Sequence, residues 1–436
     1  MNNLKLALRG VTRNKRRSAI TVAAIAVALA LIVLINSILD GTYRMMNDKA
    51  VEASGHVQIY APGYYDERRT MPTDIAIGRL SLVMEALRST PGVVEAAAQI
   101  TFGGLAAFAG NEVGGVFMGL EPEAAGRIHR FPERVVQGRY LAEEDADACL
   151  VGYRLAELLG LELGDALTVV TRTSYGALTA VDLTVVGVVA TMNPLIDEGG
   201  ALMLLEDAQR YLELPDAATA IIVNGSDPMA AGELEGKVLT TLASLVPADE
   251  GGAFSAAAPN AADDSVVEPT REGFETYTWQ ELSYVILEMA EMQQQMMNII
   301  RAIMVILAMA MIISTMLTNV FERTREIGVL LAMGAKGRQV LLVFLGEAAV
   351  LGLIGSLVGT AVGTGLGLLL QNVGLDFGEG MTTLVNVPME SVIYALVTPE
   401  MVLGAFLTGL ATSVVAGLYP AAKAARLQPT KALRFI

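Results

Sequence analysis

The sequence predicts an integral membrane α-helical protein with four transmembrane helices and a large α+β extracytoplasmic domain between the first two. Four apolar runs each reach about 20 residues, the length a helix needs to cross the hydrocarbon layer. Lys and Arg concentrate in alternate connecting segments, the mark of the cytoplasmic side. The 436-residue chain is 53% hydrophobic and 17% charged, against about 25% charged in a soluble domain, and its mean hydropathy is +0.49.

Residues 1–18 carry Leu4, Ala7, Leu8 and Val11 at helical spacing beside Lys5 and Arg9. This fits a cytoplasmic amphipathic helix on the inner leaflet, or a plain extension of the first span. The first span, 19–39, is uncharged. It exceeds the about 7–15 apolar residues of a signal peptide and lacks its small-residue cleavage site, so an uncleaved helix is expected. The second span occupies 293–320, with an apolar centre at Ala302–Val320; the third is 340–370 and the fourth 401–419. Backbone groups in lipid have no water to bond, so each run is expected to be helical.

Orientation follows from charge. Lys5, Arg9, Arg13, Lys15, Arg16 and Arg17 precede the first span without an acid. Arg323, Arg325, Lys336 and Arg338 lie in 321–339, and Lys423, Arg426, Lys431 and Arg434 in 420–436. The segment 371–400 has no Lys or Arg but holds Asp376, Glu379, Glu390 and Glu400. All these assignments agree with both termini in the cytoplasm and with 40–292 and 371–400 outside.

The outer domain, 40–292, holds the acidity. Within Asp40–Arg301, 16 basic residues face 39 acidic ones, and the whole chain carries −16. This reads as a solvated acidic surface and argues against a nucleic-acid partner. Val57–Tyr60, Ala166–Thr171, Val181–Val189 and Ala220–Val223 read as strands; Leu80–Thr90, Arg154–Leu159 and Asp207–Leu212 read as helices. The domain is large enough for two subdomains. Residues 247–276 are rich in Ala, Asp, Gly and Pro without period, which predicts a mobile loop. From about Trp279, Leu282, Val285, Met289, Met292, Met296 and Ile299 recur at helical spacing. The pattern predicts one long stalk helix running into the second span, either a carrier of motion or a rigid support.

Catalytic chemistry is sparse. Cys149 is the one cysteine and His56 and His129 are the two histidines, so neither a disulfide framework nor a cysteine metal site fits. No G-x-x-x-x-G-K-[ST], H-E-x-x-H or G-x-S-x-G occurs, and no metal or catalytic residue is assigned. Gly355, Gly359, Gly363 and Gly367 recur every four residues in the third span, a spacing that lets helices approach closely and predicts helix packing. Glu347 is the acid inside that span. An intramembrane acid is a functional candidate by default, although partial hydration near the cytoplasmic end allows a structural role.

The segment 321–339 contains Glu322, Arg323, Arg325, Glu326, Ile327, Gly328, Leu330, Leu331, Gly334 and Ala335. It predicts a short cytoplasmic helix with Gly334 at its C-terminal cap and a docking surface built on Ile327, Leu330 and Leu331. This segment closely resembles the cytoplasmic loop of the MacB/FtsX/LolC (type VII) family of ABC permeases. So do the ending from Tyr419-Pro420 through Arg426, Pro429 and Leu433, and the outer run Gly138-Arg139-Tyr140-Leu141 with Val151-Gly152, Leu155-Ala156, Leu159-Gly160 and Gly164-Asp165. The order of one span, a large outer domain and three more spans is similar as well. Ser54-Gly55-His56-Val57-Gln58, Pro62-Gly63-Tyr64-Tyr65 and the loop Phe377–Glu400 look closer to the LolC/LolE members, which release lipoproteins.

The resemblance implies a multi-pass permease of the bacterial inner membrane, not itself an enzyme. It would pair with a second permease, identical or related, and with two copies of a separate ABC ATPase subunit that binds ATP and Mg. The coupling helix would contact that ATPase through Glu322–Met333. The implied substrate is a lipoprotein, a lipid or another hydrophobic compound. Efflux of a peptide, or FtsX-like control of a cell-wall hydrolase, remains open.

Overall fold

A computed structural model describes residues 15–191, 193–245, 273–376 and 392–428. The expected N-terminal amphipathic helix, nearly all of the expected loop 247–276, the centre of 371–400 and the end of the tail lie outside the described residues. The chain divides into two compact units. One holds the described residues up to Met46 and from Glu288 onward; the other is Asn47–Leu287.

Among the described residues, four helices are long and apolar enough to cross a membrane. Span helix 1 is Lys15–Ser54, 40 residues, or about 60 Å at 1.5 Å per residue. It therefore continues well past the expected boundary at Leu39. Asp40–Ser54 brings Asp40, Arg44, Asp48, Lys49 and Glu52 into that helix, and Gly41, Thr42, Ala50 and Ser54 in it are buried. Span helix 2 is Tyr284–Glu322. The expected unbroken stalk from Trp279 is interrupted, since Trp279–Leu282 is a separate turn closed at Ser283. A capping box sets where that turn begins: Thr278 Oγ1 accepts from Glu281 N–H while Glu281 accepts from Thr278 N–H. Span helix 3 is Gly337–Val373. Span helix 4 is Pro399–Ala425; it continues through Pro420 into the expected tail.

The second unit is one body on one ten-stranded mixed sheet, so the expected two subdomains are not seen. The strands are β1 (Val57–Tyr60), β2 (Val93–Phe108), β3 (Asn111–Leu120), β4 (Val135–Gly138), β5 (Ala148–Gly152), β6 (Ala166–Arg172), β7 (Leu178–Val189), β8 (Ala201–Leu204), β9 (Ala220–Gly225) and β10 (Glu275–Thr278). Their order is β10-β1-β9-β2-β3-β8-β5-β7-β4, with β6 joining β2 to β7. β3–β8 and β5–β7 are parallel and the other pairs antiparallel. β2 and β3 form a hairpin closed by Phe108↔Asn111. Its two turn residues, Ala109 and Gly110, have φ of 50° and 87°, as a type I′ turn requires. The core gathers Ile59, Ile77, Leu87, Ile100, Phe102, Phe117, Leu167 and Leu183, all fully buried.

The motif at Ser54–Gln58 performs the exit from span helix 1 into β1. Gly55 takes φ +65°, His56 N–H donates to Asn224 Oδ1 at 2.9 Å, and Gly225 N–H donates to His56 Nδ1 at 2.9 Å. Pro62–Tyr65 opens a small aromatic cluster, in which Tyr64 stacks on Tyr60 and Tyr65 on Tyr277.

Candidate functional site

The charged segment after span helix 2 forms a helical elbow. Arg323 leaves helical geometry (φ −101°, ψ 13°), and a nine-residue helix follows, Thr324–Ala332. Thr324 Oγ1 donates to Val320 carbonyl at 3.0 Å, tying the new helix to the end of the old one. Gly334 (φ +95°) closes it. Its N–H donates to Leu331 carbonyl and Ala335 N–H to Leu330 carbonyl, both 3.1 Å. This is the pair of bonds of a Schellman motif, which needs a left-handed residue at this point. The chain then enters span helix 3 at Gly337.

The elbow helix has two faces. Thr324, Ile327 and Gly328 are buried, with Ile327 in a cluster that includes Met316, Val320, Val340 and Phe344. Ile327 is only 3% exposed, so it seats the helix against its own bundle and is not part of an outward docking surface; Gly328 is buried likewise. Leu331 is half-buried. Glu322, Arg325, Val329, Leu330, Met333 and Gly334 face outward, and Met333 is 72% exposed. Sequence reasoning placed Val329 and Met333 within the contact range Glu322–Met333 but did not single them out. Their signal was the i, i+4 spacing from Arg325 through Val329 to Met333 on the face opposite Ile327.

Behind the elbow lies a buried polar cluster. Glu347 of span helix 3 is 2% exposed. Asn319 Nδ2 donates to its Oε1 at 2.7 Å, and Arg323 Nη1 reaches Oε2 at 3.5 Å. Arg323 also pairs with Glu326 at 3.3 Å, and its guanidinium lies 5.6 Å from the Phe344 ring centroid. The sequence reading named Glu347 and Arg323 separately; the structure brings them together and adds Asn319. An amide within an apolar span, four residues before an arginine, was the available signal. Glu347 is buried while Arg323 is only partly so.

The glycines of span helix 3 lie along span helix 1. A Cβ at Gly355 would come within 2.8 Å of Ile25, at Gly359 within 2.6 Å of Ala26 carbonyl oxygen, and at Gly363 within 2.8 Å of Val33. At Gly367 it would meet Val397 at 2.8 Å and Ser37 Oγ at 3.1 Å.

The sheet unit carries an open cleft of about 1140 Å³, whose lining includes Glu95, Glu121, Glu206 and Asp216. Two arginines in the lining meet three of its carboxylates: Arg88 pairs with Glu121 at 2.9 Å, and Arg127 with Glu95 at 2.5 Å and Glu123 at 2.6 Å. Burial raises the Glu121 carboxyl above the usual range, against the pull of Arg88. The histidines are apart: His56 lies at the start of β1, and His129 Nδ1 lies 2.6 Å from Glu52 carbonyl oxygen. Burial lowers both below an ordinary histidine. Cys149 is fully buried, which pushes its thiol up to about 12 and leaves it unreactive. Among the described residues no group of three His, Cys, Asp or Glu is placed to hold a metal ion.

Comparison with known proteins gives two family matches: residues 18–240 match the MacB-like periplasmic core domain and residues 298–429 the FtsX-like permease C-terminal region. The chain is 26% identical over 444 residues to the lipoprotein-releasing system transmembrane protein LolC of Neisseria meningitidis serogroup B, covering 98% of this chain and 97% of that one. It is also 26% identical to the pyoverdine export ATP-binding/permease protein PvdT of Pseudomonas savastanoi pv. phaseolicola, covering 99% of this chain but only 59% of PvdT. Among solved structures, the periplasmic region of MacB from Actinobacillus actinomycetemcomitans matches 54% of this chain and 95% of that one, at 14% identity and a TM-score of 0.38.

Proposed function

Since the chain belongs to the family of ABC permeases with a MacB-like periplasmic core and an FtsX-like membrane region, we propose that it couples a separate cytoplasmic ABC ATPase to work done by its sheet domain on the far side of a bacterial inner membrane. The observation that carries this reading is the elbow helix. The nine-residue helix and its C-cap, Met333, project Arg325, Val329, Leu330 and Met333 outward while Ile327 and Gly328 seat them. Two copies of the ATPase, with ATP and Mg bound on them, would each meet one permease, this chain or a related one. Closure of the ATPases would push on the elbow, and the continuous span helices would carry that displacement outward. Both termini then lie in the cytoplasm.

The substrate we favour is a lipoprotein or lipid released from the outer leaflet. Support comes from the alignment with LolC, which covers nearly the full length of both chains. PvdT, named for pyoverdine export, matches at equal identity, so efflux of a peptide or hydrophobic compound is the second reading. The test is reconstitution in proteoliposomes with the ATPase and a fluorescent triacylated lipoprotein. ATP-dependent release to a soluble acceptor supports the first reading. ATP-driven movement of a small hydrophobic dye without lipoprotein release supports the second. An ATPase that neither binds nor responds to the permease defeats both.

A further inference from the structure

We infer that Glu347 is a positioning residue that fixes the angle of the elbow helix by holding Asn319 and Arg323 at once. This inference rests on the reading of the elbow as the ATPase-coupling element. Asn319 lies in the last helical turn of span helix 2, and Arg323 is the non-helical joint itself. Glu347 grips the first through Oε1 at 2.7 Å and the second through Oε2 at 3.5 Å. One carboxylate on span helix 3 thus spans both sides of the bend, with Arg323 further committed to Glu326 on the elbow helix.

One feature sets this apart from ordinary packing. Ser356, Thr360 and Ser413, polar groups buried elsewhere in the bundle, carry no charge, whereas Glu347 places a carboxyl group there with two side-chain partners on either side of the bend. A carboxylate can accept on both oxygens. A carboxamide cannot: if its oxygen keeps Asn319, its NH2 faces the Arg323 guanidinium, donor against donor. The elbow's angle therefore depends on the chemical identity of residue 347 as well as on its size.

The test uses the full-length permease in lipid nanodiscs, spin-labelled at Val329→Cys on the elbow helix and Leu357→Cys on span helix 3, both exposed positions. Cys149 is buried and stays unlabelled. Pulsed electron resonance should give one narrow distance in the parent. Glu347→Gln and Arg323→Gln should each shift or broaden it to the same extent, and the double variant should add nothing further. With the ATPase bound, Glu347→Gln should lower the ATP hydrolysis rate of the complex by about 2-fold to 30-fold while copurification holds. A distance distribution unchanged in either single variant overturns the inference, as does an additive double variant. If Glu347→Gln does not fold, Arg323→Gln alone decides it. Failure of the parent permease to bind any ATPase would count against the coupling function, and the distance measurement would still judge the positioning role.

Discussion

Replacing Gly359 by alanine tests how the span helices are held together. The added Cβ would lie 2.6 Å from Ala26 carbonyl oxygen and 2.8 Å from Ala26 Cα, with Leu29 Cβ at 3.0 Å. Two of these neighbours are backbone, so no side chain can rotate away. Ordinary contact begins near 3.4 Å, so span helix 1 must retreat by nearly an ångström over that turn. Overpacking of this kind costs about 1–3 kcal/mol; at about 1.4 kcal/mol per factor of ten, the middle of that range shifts the unfolding equilibrium by about 30-fold. Gly365 is the control, because a Cβ there meets nothing within 4 Å. Gly365→Ala should be neutral or gain up to about 1 kcal/mol from helix propensity. The assay is loss of far-ultraviolet circular dichroism on titrating dodecyl sulfate into the purified protein in mild detergent. If Gly359→Ala and Gly365→Ala unfold at the same point as the parent, the close approach of the two helices is wrong.

Further predictions concern charge, pH and sidedness. Reversing Glu322→Lys together with Arg325→Glu on the exposed elbow face should weaken ATPase copurification by about tenfold, while fluorescence of buried Trp279, which reports on the sheet domain, stays unchanged. Because burial lowers His56 and His129 below the ordinary value of 6.5, the unfolded chain binds more protons than the folded one once pH falls below that value. Their contribution to stability is therefore present above about pH 6.5 and lost as pH drops through the lower folded values; the Trp279 unfolding midpoint should fall on acidification, and less steeply in His129→Gln. An impermeant maleimide applied to intact cells with a permeable outer envelope should label Tyr175→Cys and leave Met333→Cys unlabelled until the cells are lysed, with native Cys149 silent throughout.

The membrane part was legible because its determinants are local. Each span is a contiguous apolar run, and the elbow announced itself by mixed charge followed by Gly334. The sheet domain was far less legible. β2, sixteen residues reading VVEAAAQITFGGLAAF, has seven Ala and Gly among them, residues with little strand propensity. They are there for tertiary reasons: Ala96, Ala98 and Ala106 are fully buried, and a Cβ at Gly104 would strike Val170 carbonyl oxygen at 2.8 Å. Similarly, Asp40–Ser54 extends span helix 1 through a polar sequence with no span-like signal. The break at Ser283 has neither Gly nor Pro to mark it; the Thr278–Glu281 spacing marks only where the preceding turn begins. In the elbow, the sequence supplied the right segment but could not say which side of the helix was outward. That depends on the pocket formed by Met316, Val320 and Phe344, which receives Ile327.

Whether the elbow meets an ATPase can be measured directly. A photoreactive benzoylphenylalanine at Leu330, exposed on the elbow helix, should crosslink on irradiation of intact cells to a nucleotide-binding ABC ATPase, whereas the same probe at Tyr175 on the sheet domain should not. Capture of an extracytoplasmic protein from Leu330, or of the ATPase from Tyr175, would contradict the account.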